Sequence, residues 1–196
     1  YWINAELELA ARDGGHWTHE DGLTLVGNDL IVSAQKLRER GGVKGTDIEI
    51  VNDLLGRVIA QVKTHGIPWR PGAQALLAEV VAAGIPCALV TMSYANLAGV
   101  VIDGLPAGTF DAVVTGEVVT NGKPHPEPYL VAAEKLSVEP RTCVAIEDSP
   151  TGIRSAEAAG MPTLGVKFLV DIEEAPGRSR AKSLEQISLA ELRRIA

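Results

Sequence analysis

The chain has 196 residues, 46% of them hydrophobic, and 25 acidic against 18 basic side chains give it a formal net charge of -7. One domain, or one domain with a modest insertion, accounts for this length, and a chain of this size buries a core without disulfide staples. Ordinary glycine and proline content with 22% charged residues excludes a fibre or a disordered chain, and an acidic balance without any Lys/Arg run argues against nucleic acid or an anionic membrane as partner.

The chain opens on Tyr1 inside a helical pattern, without an initiator Met, a basic leader or an apolar signal core, so we expect the protein to begin further upstream. Ile3, Leu7 and Ala10 keep helical spacing until Asp13-Gly14-Gly15, and Thr18 with Asp21 resembles an N-terminal cap. Leu30, Ala34 and Leu37 mark a second helix ending at Gly41-Gly42. Val51, Leu54, Leu55, Val58 and Val62 mark a third that ends near Gly66. Residues 1–66 therefore read as a small helical bundle.

From Pro68 the texture changes to helices alternating with short, wholly apolar runs. Pro71 suits a first helical turn, Leu76, Leu77 and Val80 give that helix its stripe, and Gly84 closes it. Then come a strand ending at Thr91, a helix over 93–102, the strand Ala112–Val114, a helix over 127–135, the strand Cys143–Ile146, a helix over 151–159 and the strand Thr163–Val166. Ser188 to Glu191 is a capping box for a last short helix. Strands buried on both faces and alternating with helices predict an α/β fold with a parallel, Rossmann-like sheet over 67–196. No apolar run approaches the roughly 18 residues that span a bilayer. Cys87 and Cys143 read as reduced, buried thiols of a cytoplasmic protein.

In such sheets ligands bind beyond the carboxyl ends of the strands. Thr91-Met92-Ser93, Lys123 and Glu147-Asp148 stand there. A hydroxyl followed by backbone N–H groups at a helix start, an ammonium and paired carboxylates suit a phosphate and a divalent cation. Each has a plainer reading. Thr91 suits packing, Lys123 a solvated surface, and Glu147 with Asp148 the cap of the next helix. Asn121-Gly122 reads as a tight hairpin turn. Gly116 and Gly122-Lys123 do not make a nucleotide phosphate loop, because the gap is too long and Pro124 stands where Ser or Thr is needed. His16, His19, His65 and His125 form no metal-like pair, and the tryptophans read as packing residues.

In order, Ala88-Leu-Val-Thr-Met-Ser93, Gly122-Lys-Pro-His-Pro-Glu-Pro-Tyr129 and Val144-Ala-Ile-Glu-Asp-Ser-Pro-Thr-Gly-Ile153 resemble the second, third and fourth motifs of the haloacid dehalogenase superfamily. Ser155 to Pro162 resembles the helix and turn that follow, and residues 1–66 resemble the helical cap of the beta-phosphoglucomutase-like subgroup. The resemblance implies phosphate bound by Thr91, by the Met92 and Ser93 region and by Lys123. Thr91 and Lys123 would be catalytic, and Glu147 and Asp148 would hold Mg2+. It also implies an Asp nucleophile and a second Asp as acid on a first strand that would lie upstream of Tyr1, central in the sheet.

In the mutase branch basic cap residues grip a distal phosphate and a His enters from the first cap helix. Here Val26 and Leu30 stand at the basic positions and Trp2 at that of the His. The expectation is a Mg2+-dependent phosphatase of a small sugar or polyol phosphate, monomeric and cytoplasmic, with Asn28 and Asp29 of the cap facing the substrate. A mutase, a noncatalytic phosphate- or Mg2+-binding module and a metal-free haloacid dehalogenase stand as alternatives.

Overall fold

The first third of the chain is held by helix ends that the sequence marks clearly. In the computed structural model, which describes residues 1–196, α1 is Trp2–Arg12, α2 His19–Leu23, α3 Leu30–Gly41 and α4 Asp47–His65. Thr18 and Thr46 each form a capping box with the acid three residues on, and Asp29 accepts hydrogen bonds from the Ile31 and Val32 N–H groups at the start of α3. These caps satisfy donors that a helix start leaves without partners. The four helices close around Leu9, Leu37, Val51, Leu54 and Leu55, none more than 1% exposed. The buried stripe of α1 runs through Ile3, Glu6 and Ala10, and Leu7, expected on it, is only half-buried.

The remainder alternates helix and strand as α5 (Ala73–Ala82), β1 (Ala88–Val90), α6 (Ala95–Ile102), β2 (Ala112–Val114), α7 (Glu127–Leu136), β3 (Ala145–Glu147), α8 (Pro150–Ala158), β4 (Thr163–Val166), β5 (Arg178–Ala181) and α9 (Leu189–Ile195). Every strand pair is parallel. Ala88 pairs with Ala112, Ala145 with Thr163, and Thr163 with Arg178, giving one sheet β1-β2 and another β3-β4-β5. Between them lies an apolar cavity of about 520 Å³, walled by Ala88, Leu89 and Val90 on one side and Val144, Ala145 and Ile146 on the other. α6 packs on α4, and Leu97 of α6 belongs to the same buried cluster as the bundle helices.

Several local expectations are corrected. Pro71 lies in the turn before Gly72, which caps α5, so the helix starts later than its proline suggests. The third strand starts at Ala145 because Pro140–Thr142 form a turn of 3-10 helix just before it. Asn121-Gly122 does not form a hairpin. Both Asn121 N–H groups and the Thr120 N–H donate to the Glu127 carboxylate, which folds the loop onto the start of α7 instead. β5 was not anticipated. Its Arg178-Ser-Arg-Ala sequence looks like a solvated loop, yet Arg178 forms a two-pronged ion pair with Glu157 and Arg180 donates to the Ile172 carbonyl, which holds the edge in place. Charged side chains of this kind also protect an edge strand from further pairing.

Candidate active site

The two carboxylates after β3 have separate environments. Glu147 is buried, and both of its oxygens are engaged. Oε1 receives the Tyr129 hydroxyl and the Lys123 ammonium, and Oε2 receives the Ser149 hydroxyl at 3.3 Å. Lys123 also donates to the Val90 carbonyl at 3.1 Å, and the side chains of Lys123 and Glu147 are each only 7% exposed. A buried ion pair of this kind is tolerable because hydrogen bonds satisfy the remaining donors and acceptors. Burial and then the Glu147 charge raise the Tyr129 phenol well above its ordinary value, so it stays a donor to that carboxylate. α8 begins where Ser149 accepts the Gly152 N–H at 2.9 Å, and a methyl group at Gly152 would overlap the Glu147 carboxylate.

Asp148 has no side-chain cation partner. Its surface reaches solvent, yet the cavity walls around it strip part of its hydration. That loss, followed by the Glu147 charge, pushes its carboxyl above the usual range. The nearby charges of Lys123 and Arg70 oppose the shift, Arg70 being fixed over the Phe168 ring at 3.8 Å.

At the end of β1 the Thr91 hydroxyl accepts the Ser93 N–H at 3.0 Å, which leaves its own proton free to donate. The Ser93 hydroxyl oxygen is buried and has no partner at all. The Met92 sulfur accepts the Lys123 N–H at 3.3 Å, tying the lysine's loop to the end of β1. Thr91, Met92, Ser93, Lys123, Glu147 and Asp148 thus line one cavity of about 470 Å³ at the carboxyl ends of the strands. The larger apolar cavity has few polar groups and cannot by itself do this chemistry.

The opposite wall of the polar cavity comes from the helical bundle. Trp2, Glu6, Gly22, Val26, Asn28, Leu30 and Ser33 line it, and Lys123 is the only cation on any side. Gly27, at φ 79°, lies so close over Ser149 that a Cβ would meet the serine hydroxyl at 2.5 Å, so the bundle loop needs a glycine to approach the core. Asn28 lines the cavity, with its amide donating to the Thr24 carbonyl at 3.1 Å. Asp29 does not line it, and its Oδ1 accepts the Ile31 and Val32 N–H groups at the start of α3.

Glu6 and Tyr129 escaped the sequence reading. Glu6 is 5% exposed and accepts the Trp17 indole N–H at 3.1 Å. Its burial pushes the carboxyl up to about 7. The signal was its place on the apolar stripe of α1, where an acid is out of pattern. Tyr129 looked like an ordinary aromatic on α7, and only its distance from Glu147 reveals its role.

Residues 2–166 match the family model of the haloacid dehalogenase-like hydrolases. The chain belongs to this family. It is 42% identical over 115 residues to hexitol phosphatase A of Escherichia coli strain K12, covering 58% of this chain and 52% of that protein. It is also 39% identical over 122 residues to the plasmid-encoded CbbY protein of Cupriavidus necator, covering 60% and 48%, and 31% identical over 129 residues to the phosphoglycolate phosphatase of E. coli strain K12, covering 65% and 51%. The chain spans about half the length of these relatives. Among solved structures, CbbY of Rhodobacter sphaeroides in complex with phosphate superposes with a TM-score of 0.84 at 29% identity, over 97% of this chain and 91% of that one. The fold is also that of beta-phosphoglucomutase from Clostridium difficile, with a TM-score of 0.85 at 24% identity over 100% and 89%.

Proposed function

We propose that the protein is a Mg2+-dependent phosphatase acting on monophosphate esters of small polyhydroxylated metabolites, of the sugar or polyol phosphate class. One observation carries this reading: Lys123, the Thr91 and Ser93 hydroxyls and Asp148 converge in a single cavity whose other wall is the helical bundle. The names of the phosphatase relatives support the same class of reaction. Residues 1–66 act as a cap over the core of residues 67–196. The enzyme works as a cytoplasmic monomer.

In this reading the free Thr91 proton and the Ser93 hydroxyl donate to phosphoryl oxygens, and Lys123 offsets their charge. Preorganised donors aimed at developing charge are the largest common source of catalysis in transfers of this kind. Glu147 and Tyr129 hold the ammonium in place rather than touching substrate. Asp148, a carboxylate with lowered hydration and no cation partner, would hold a hard divalent ion, and the neighbouring Glu147 would add its charge to that site. Bound there, Mg2+ supplies charge neutralisation at the phosphoryl group. The resemblance to the family assigns the nucleophile to an aspartate on a strand of the sheet other than β1 to β5.

Val26 and Leu30 on the bundle wall leave a second phosphate without a cation, which favours transfer to water over a mutase cycle. The test is phosphate release by the protein of the complete reading frame from a panel of sugar, polyol and short-acid monophosphates, with Mg2+ or with chelator. Release from polyol or sugar esters that stops with chelator is expected. Failure to hydrolyse any ester overturns the proposal, and chelator-insensitive halide release from a haloacid would assign a dehalogenase instead.

A further inference from the structure

The buried acid of the bundle wall has no place in phosphoryl transfer, and its surroundings are unlike those of a structural carboxylate. The Trp17 indole N–H reaches only Oε2 of Glu6. No protein donor reaches Oε1, although Glu6 lines the polar cavity shared with Lys123 and the strand ends. Gly22 lets the carboxylate sit where it does, since a Cβ there would meet Oε2 at 2.8 Å and Ile3 Cγ1 at 3.0 Å. On the same wall the Ser33 hydroxyl donates to the Asp29 carbonyl and one N–H of the Asn28 amide to the Thr24 carbonyl, and Glu6 is the only charged group there.

We propose that Glu6 reads the leaving group, accepting hydrogen bonds from its hydroxyls at Oε1 and rejecting leaving groups that carry a second anion. This rests on the phosphatase reading and narrows it. The preferred substrates have a phosphate at one end and a neutral, polyhydroxylated chain at the other, and carboxylated or bisphosphorylated esters are excluded. A carboxylate in a poorly hydrated wall is effective in both directions. A hydroxyl donor finds a strong charged acceptor, whereas a second anion meets repulsion that no cation on the bundle wall offsets. Burial pushes the Glu6 carboxyl to about 7, so about half of it is ionised at neutral pH and the charged fraction grows as pH rises further.

The experiment measures the affinities of inorganic phosphate, sorbitol 6-phosphate and phosphoglycolate for the full-length protein with Mg2+, alongside hydrolysis of the two esters. Wild-type protein should bind and turn over sorbitol 6-phosphate in preference to phosphoglycolate. In Glu6→Gln, sorbitol 6-phosphate should weaken about tenfold, as expected for loss of a charged acceptor. Phosphoglycolate should tighten, and inorganic phosphate should not change. Glu6→Asp keeps the charge but withdraws it by one methylene. It should lose sorbitol 6-phosphate affinity while still rejecting phosphoglycolate, and it serves if the Gln variant fails to fold. Equal shifts for all three ligands, or none, overturn the assignment of Glu6 even if hydrolysis proceeds. Selective binding of sorbitol 6-phosphate without hydrolysis would leave Glu6 in this role and overturn the phosphatase. Binding of none of the three overturns both.

Discussion

The burial of Glu6 makes folding stability depend on pH in a direction opposite to that of a salt-bridged carboxylate. Its carboxyl stands at about 7 in the folded protein, against 4.5 as its ordinary value. Below 4.5 both folded and unfolded chains hold the proton and the group contributes nothing. As pH rises from 4.5 towards 7 the unfolded chain releases the proton first, so stability falls, and above 7 the full loss is reached and stays constant. At about 1.4 kcal/mol per pH unit of displacement, the loss amounts to about 3 kcal/mol. Glu6 is 5% exposed, so solvent screening removes little of it. Glu6→Gln keeps an oxygen for the Trp17 N–H and cannot ionise. Urea unfolding of both proteins from pH 5 to pH 8 should therefore show the variant gaining about 2.5 kcal/mol on wild type across that range, the rest of the loss falling below pH 5. Taking the difference between the two proteins cancels the other titrating groups. A constant difference would refute the reasoning, because it would mean that the carboxylate remains hydrated in the folded state.

Removal of one member of the buried ion pair should be far more damaging than removal of both. Lys123→Met strands Glu147 and should cost about 3–5 kcal/mol in urea unfolding, while Lys123→Met combined with Glu147→Leu should recover most of the loss. Gly152→Ala places a methyl against the Glu147 carboxylate and should cost about 1–3 kcal/mol. The same variant should weaken inorganic phosphate binding in calorimetry, since Lys123 loses its anchor. Ser188→Ala removes the capping box of α9 and should cost about 1 kcal/mol in thermal unfolding without altering phosphate affinity.

Helix ends were legible because capping chemistry is local. Thr18 with Asp21 and Ser188 with Glu191 both form the reciprocal bonds that their spacing implies. That Thr91, Lys123, Glu147 and Asp148 would gather around one cavity was legible for a related reason, since a parallel sheet brings its carboxyl ends together whatever the side chains are. What stayed hidden depends on distant partners. β5 exists through Arg178 and Glu157, 21 positions apart, and the Glu147 environment depends on Tyr129, 18 positions away. Sequence adjacency suggested that Glu147 and Asp148 act as a pair. In space Glu147 belongs to Lys123 and only Asp148 is left without a cation.

Leu97 of α6 lies inside the core of the helical bundle, with Tyr94 and Val100 packed against it. Exposing a buried leucine costs about 1.5–3 kcal/mol, so the bundle does not swing freely away from the strand ends. Any opening motion must either pull Leu97 out of its socket or take α6 along as a lever. Because α6 follows directly on Thr91-Met92-Ser93, the second course would tilt the turn to which the proposed function assigns phosphate binding. Under the proposed function, entry of substrate and the hold on its phosphate would thereby be mechanically geared to one another.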